Sequence, residues 1–92
     1  MKQKNDFSPI QKRASELGVF IIAVDVQAMI VLADTASDYV TWCYQIDHNE
    51  NCRFENGNYF RKTHKSMDLS DARKDYQHRI AVELGQTLEA IS

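Results

Sequence analysis

Residues 39–61 run Tyr39-Val40-Thr41-Trp42-Cys43-Tyr44-Gln45-Ile46, then Asp47-His48-Asn49-Glu50-Asn51, then Cys52-Arg53-Phe54-Glu55-Asn56-Gly57-Asn58-Tyr59-Phe60-Arg61. Most of the first block is β-branched or aromatic, the types that fit a pleated, half-buried surface. Alternation puts Val40, Trp42, Tyr44 and Ile46 on one face. The second block is a polar turn. In the third, Asn56-Gly57 stands between β-formers. Asn-Gly is the strongest short-range hairpin signal, because a type I′ turn needs positive φ at both central residues. The stretch therefore predicts an antiparallel meander, with strands over 39–46, 52–55 and 58–61.

Upstream, Val19-Phe20-Ile21-Ile22-Ala23-Val24 is continuous, β-branched and aromatic. It reads as a strand buried on both faces. Met29 to Ala33 is a second apolar run, and a hairpin through Asp25-Val26-Gln27 joins the two, although that turn lacks Gly or Asn. The rival is a short helix over 26–36 with Val26, Met29, Ile30 and Ala33 on one side. Periodicity does not separate the two in runs this short. Asp34-Thr35-Ala36-Ser37-Asp38 is a polar connector.

Helices flank the β region. Ser8-Pro9 places a preferred N-cap before a proline suited to the first helical position. Ile10, Ala14 and Leu17 make one apolar stripe, and Gly18 fits the left-handed position that ends helices. This predicts a helix over 9–17. At the other end Asp68 is the expected cap, with Asp71 favourable near the positive end of the dipole. Leu69, Ala72, Tyr76, Ile80, Leu84, Leu88 and Ile91 step by three or four, predicting an amphipathic helix over about 69–90 that covers one sheet face. Gly85 should weaken its last turns by about 1 kcal/mol relative to Ala. The expected fold is α+β, an antiparallel meander of about four strands with a short N-terminal and a longer C-terminal helix, in a single domain over 1–92.

Composition bounds the function. The 92 residues are 43% apolar and 26% charged, with three Gly and one Pro. Those are the proportions of an ordinary globular domain with little room for linkers. The apolar stretch from Val19 to Ala33 is interrupted by Asp25 and Gln27 and is too short to span a bilayer. Met-Lys-Gln-Lys-Asn-Asp at the N-terminus has no apolar run behind it, so no signal peptide is expected. Cytoplasm is the default. There Cys43 and Cys52 should stay reduced, although facing positions across a hairpin would let them pair. The net charge of −2 is unevenly spread: residues 14–52 contain no Lys or Arg, yet carry Glu16, Asp25, Asp34, Asp38, Asp47 and Glu50. Such segregation can build an acid-biased surface that steers a basic partner, or it can reflect strands with few surface positions.

No catalytic residue, metal or cofactor is expected. Cys43, His48, Cys52 and His64 are the only metal-like set, and their spacing lacks the tight Cys-x2-Cys pattern of zinc sites. Neither cysteine falls at a helix N-terminus, where a thiolate nucleophile would find its stabilisation. The acids are scattered, and there is no glycine-rich phosphate loop.

Binding is the better-supported class. Trp42, Tyr39, Tyr44 and Tyr59 are anchor-type residues. Trp42 is expected to pack under the C-terminal helix, which leaves Tyr39, Tyr59, Arg61, Lys62 and His64 as the partner-binding set of a non-catalytic module. The alternative is nucleic-acid binding over hairpin 53–65 by Arg53, Phe54, Tyr59, Arg61, Lys62 and Lys65, extended by Arg73, with aromatics stacking bases and cations meeting phosphates. A pI near 5.8 weighs against it. An exposed strand edge would also permit a homodimer.

Tyr39-Val40-Thr41-Trp42, the later Gly57-Asn58-Tyr59-Phe60, and then Ala72, Asp75 and Arg79 form a pattern over 39–79. It resembles small uncharacterised proteins of phages and mobile elements from gut-type bacteria, in which the sequence runs roughly Tyr-Val-Thr-Trp, Gly-x-Tyr-Phe, Ala-x-x-Asp-x-x-x-Arg. The resemblance carries no activity. It implies an accessory protein acting on host defence or element maintenance, and the tandem turns here depart from the simplest form of the pattern.

Overall fold

The computed structural model describes residues 7–63 and 66–85. The chain runs α1 (Ser8–Leu17), β1 (Phe20–Asp25), β2 (Ile30–Asp34), β3 (Asp38–Ile46), β4 (Cys52–Arg61) and α2 (Ser66–Glu83). The strands form one antiparallel sheet in sequence order, β1-β2-β3-β4. The fold is therefore the expected α+β meander between two helices, and the rival helix over 26–36 does not form.

The helices lie on opposite faces of the sheet. On one, Ile10 of α1 packs with Val31, Ala33, Val40, Trp42, Tyr44 and Cys52, and Val19, Ile21, Val24, Ile46 and Phe54 pack against the cluster. On the other, β3 turns Thr41 and Cys43 toward α2, where Asp75 and Arg79 receive them. Trp42 is thus buried as expected but beneath the wrong helix: alternation with Thr41 sends it to the α1 side.

The largest departure is at Asn56-Gly57. These residues make no hairpin, so 52–55 and 58–61 are one strand rather than two. β4 pairs with β3 from Ile46–Cys52 to Asp38–Arg61, and between the pairs Cys43–Glu55 and Thr41–Asn58 the register shifts. Two residues, Asn56 and Gly57, stand opposite Trp42 alone, which is a β-bulge. Asn56 takes φ 56°, the left-handed state that Asn tolerates. Gly57 is needed for space. A Cβ there would meet Trp42 Nε1 and Tyr59 Cε1, each at 2.7 Å. The Asn-Gly signal reads local backbone freedom correctly, but a nine-residue partner strand and the indole opposite turn that freedom into a bulge.

Smaller corrections follow the same logic. β1 is an edge strand with no fully buried residue, not a strand buried on both faces. Its hairpin to β2 turns through Val26–Met29 without Gly, because Asp25 holds it: Oδ1 accepts the Ala28 N–H at 2.8 Å and the carbonyl accepts the Met29 N–H at 2.8 Å. Helix α1 is capped by Phe7, with Ser8 already inside. Gly18 ends it in the left-handed region at φ 74°. Asp68 sits in the first turn of α2 and reaches back to the Thr63 N–H at 2.8 Å instead of capping from outside. Gly85, at φ 70°, follows the helix end rather than interrupting it. The expected positions Leu88 and Ile91 lie outside the described residues.

Candidate functional site

The two sheet edges are built differently. β4 is long, and its bulge bends and twists the strand; Arg53, Glu55 and Arg61 add charge along it. Bulges and charged side chains are the usual means by which an edge is protected from pairing with another chain. β1 has neither charge nor proline from Phe20 to Val24, and among the described residues it pairs only with β2. Half of its backbone N–H and C=O groups therefore point away from the sheet. Phe20, at its start, is 78% exposed. Leu17 before it and Val26 after it are also exposed large apolar residues. Phe20, Ile21, Ile22 and Val24, all of high β propensity, thus line an apolar edge, and this strand too carries a bulge, with Ile22 extra between the pairs Ile21–Ala33 and Ala23–Leu32.

The partner-binding set expected from sequence does not form one patch. Tyr59 pairs with Val40 and Arg61 with Asp38, so both belong to the α1 side of β4. Tyr59 is 59% exposed, yet its hydroxyl accepts the Trp42 Nε1–H at 3.3 Å and its ring meets the indole edge-on. Tyr39 is on the other side. Lys62 lies 4.9 Å from the centroid of the Tyr39 ring, forms an ion pair with Asp34 and donates to the Thr35 carbonyl at 2.7 Å. The hydrogen bond to Asp34 raises the Lys62 pKa above its ordinary value. Tyr39 and Lys62 therefore close the β2–β3 turn. His64 lies outside the described residues.

The nucleic-acid set is also dispersed. Phe54 stacks on Trp42 with centroids 4.8 Å apart and planes 7° from parallel, so one of its faces is spent on the core. Arg53 pairs with Glu55 at 3.1 Å and contacts Gln45. Arg73 is exposed on α2, across the sheet from Tyr59. Lys65 lies outside the described residues.

One constellation was not legible in advance. Thr41, fully buried, donates from Oγ1 to Asp75 Oδ2 at 2.6 Å, and Asn58 Nδ2 donates to the same oxygen at 3.1 Å. Arg79 Nη1 donates to both the Thr41 carbonyl and Oγ1 at 3.0 Å, and Nη2 reaches Cys43 Sγ at 3.1 Å. This latch fastens α2 to β3 and β4. Thr41, Asn58, Asp75 and Arg79 were among the residues of the pattern quoted from sequence, Cys43 was not, and the i, i+4 spacing of Asp75 and Arg79 on α2 was the available signal. Their geometry is structural: Asp75, Thr41 and Arg79 bond to one another across the helix–sheet contact, with Asn58 closing it from the exposed side.

Clefts flank the latch. One of about 450 Å³ is lined by Ala28, Met29, Cys43, Tyr44 and Glu83, among others. Cys43 is half-exposed and Cys52 buried, both free. They lie on opposite sheet faces, and burial pushes the Cys52 thiol up, away from what a nucleophile needs. Among the described residues no group of three or more His, Cys, Asp or Glu side chains could hold a metal, and no helix is long and apolar enough to cross a membrane.

The architecture is an α+β sheet domain with a charged edge at β4 and an apolar edge at β1. No known protein family matches the chain, no curated protein is detectably similar to it, and no solved structure matches its fold.

Proposed function

We propose that this domain is a non-catalytic protein-binding module, and that its partner adds a strand to β1. The observation that carries the reading is the unequal treatment of the two edges: β4 carries Arg53, Glu55 and Arg61 along its length, whereas β1 is apolar from Phe20 to Val24. Strand addition takes its affinity from main-chain hydrogen bonds and its specificity from alternate side chains. In the setting implied by the Tyr-Val-Thr-Trp pattern, a phage or mobile element, the partner is a host protein in the cytoplasm. Two free thiols suit that reducing compartment.

The test is capture from bacterial lysate, with and without nuclease and at low and high salt, by wild type, Phe20→Lys, Ile22→Lys and the double variant Tyr59→Ala/Arg61→Ala, each first shown to be folded by thermal melt. Loss of capture in the two lysine variants alone supports the edge. Loss in the Tyr59/Arg61 variant alone returns the site to β4 and overturns the edge reading. Capture abolished by nuclease or by high salt favours nucleic acid over protein, because phosphate-driven binding weakens steeply with ionic strength.

A further inference from the structure

β1 is apolar at one end and acidic at the other. Asp25 is its only charged residue, and among the described residues it makes no ion pair. The bases that contact residues 14–52 are engaged elsewhere: Arg13 on Glu16, Arg53 on Gln45, Lys62 on Asp34, and Arg79 on Thr41 and Cys43. The Asp25 carboxylate is near enough to Tyr44 and Tyr76 to help raise both hydroxyls, after burial. Its Oδ1 accepts the Ala28 N–H, which fixes the carboxylate at the strand terminus.

We infer, resting on the strand-addition reading above, that the strand accepted by β1 is an alternating apolar segment with a lysine or arginine at the position beside Asp25. Side chains on one side of the added strand extend the Ile21–Val24 row of the α1 face. Those on the other side cover Phe20 and Ala23 and end at Asp25. A second copy of this chain fits less well. Paired antiparallel about the middle of β1, it sets Phe20 against Asp25 and supplies no base.

Two capped peptides test this, Lys-Val-Thr-Val-Thr-Val-Lys and the same sequence with glutamate at both ends, with binding followed by amide chemical shifts of the whole domain at low salt. Shifts should centre on β1. Exposed ion pairs are weak, so the attraction and the repulsion are each worth about threefold, and the lysine peptide should bind about tenfold more tightly than the glutamate peptide. In Asp25→Asn, which keeps the turn-forming acceptor, both should bind β1 equally. Equal affinities for wild type, with shifts still on β1, would overturn the charge assignment and leave strand addition standing. Shifts that spare β1 for both peptides would overturn strand addition itself. Concentration-dependent β1 shifts without peptide would replace the partner strand by a second copy.

Discussion

Trp42 organises this fold at the scale of single residues. Its indole stacks on Phe54, meets Tyr59 edge-on, donates to the Tyr59 hydroxyl and occupies the space where Gly57 would carry a side chain. Trp42→Ala should destabilise the domain by about 3–5 kcal/mol, the cost of deleting a large buried ring. Gly57→Ala should cost about 1–3 kcal/mol by overpacking, since indole and phenol would both have to give way. Equilibrium urea unfolding measures both, and an unchanged midpoint for Gly57→Ala would show that the bulge relaxes freely. The importance of Trp42 was legible from its neighbours in a β-rich run. Which helix covers it was not, because alternation fixes that two residues share a face but not which face a helix takes. Asn56-Gly57 was legible as a place of unusual backbone and misread as to kind, since the same left-handed tolerance serves a turn or a bulge.

Titration at this scale is expected to limit the domain at alkaline pH. Burial is the first cause that raises Tyr44, Tyr76 and Cys52, and the bond to Asp34 raises Lys62. A group whose folded pKa lies above its unfolded value binds its proton more tightly when folded. Its contribution is therefore complete below the unfolded pKa and is lost as pH rises through the folded one. Stability should hold to the ordinary thiol value of 9.0 and fall above it as the thiol, the tyrosines and the lysine titrate in turn. Asp47 works in the other direction. Backbone N–H bonds, from Asn51 foremost, lower its pKa, so its contribution is present above 3.8 and lost as pH falls below that value. Thermal melts from neutral to strongly alkaline pH should show the decline, and a Tm unchanged across that range would contradict it.

At the scale of elements, the latch decides how α2 sits. Ala72 is fully buried, and the helix face it shares with Asp75, Tyr76 and Arg79 lies against the sheet. An apolar stripe found the helix and its approximate face. It could not show that a threonine, an aspartate and an arginine complete the contact, because buried polar groups are recognised by their partners and not by periodicity. Removing one partner strands the others. Asp75→Ala should cost about 1–3 kcal/mol by leaving the Thr41 hydroxyl and Asn58 amide without their acceptor. In a double-mutant cycle with Thr41→Val the coupling should reach about 1 kcal/mol, as expected for directly bonded residues. Additive losses would mean that Thr41 and Asp75 act independently. The ends of the first helix and the start of the second were read to within three residues, whereas the second helix ends at Glu83 and not near 90. Their caps were not, because Phe7 takes the place of Ser8 at the first helix and Asp68 reaches back from inside the second.

At the scale of the whole molecule, one sheet carries a helix on each face and a contrast between its edges. Sequence gives the strands and their antiparallel order through the turns between them. It does not give which strands lie outermost, and that is why Val19–Val24 read as buried on both faces and why the aromatic and basic residues of 53–65 read as one surface. Folding separates residues 53–61 to two faces of β4 and leaves β1 as the edge strand without charge from Phe20 to Val24. The central claim is that a partner closes this edge. Amide hydrogen exchange of the domain, free and in complex with its captured partner, tests it most directly. The prediction is that the outward-facing amides of β1 exchange quickly in the free domain and become protected in the complex, while those of β4 are unchanged. Protection that appears around Tyr59–Arg61 and leaves β1 exchanging as before would contradict it.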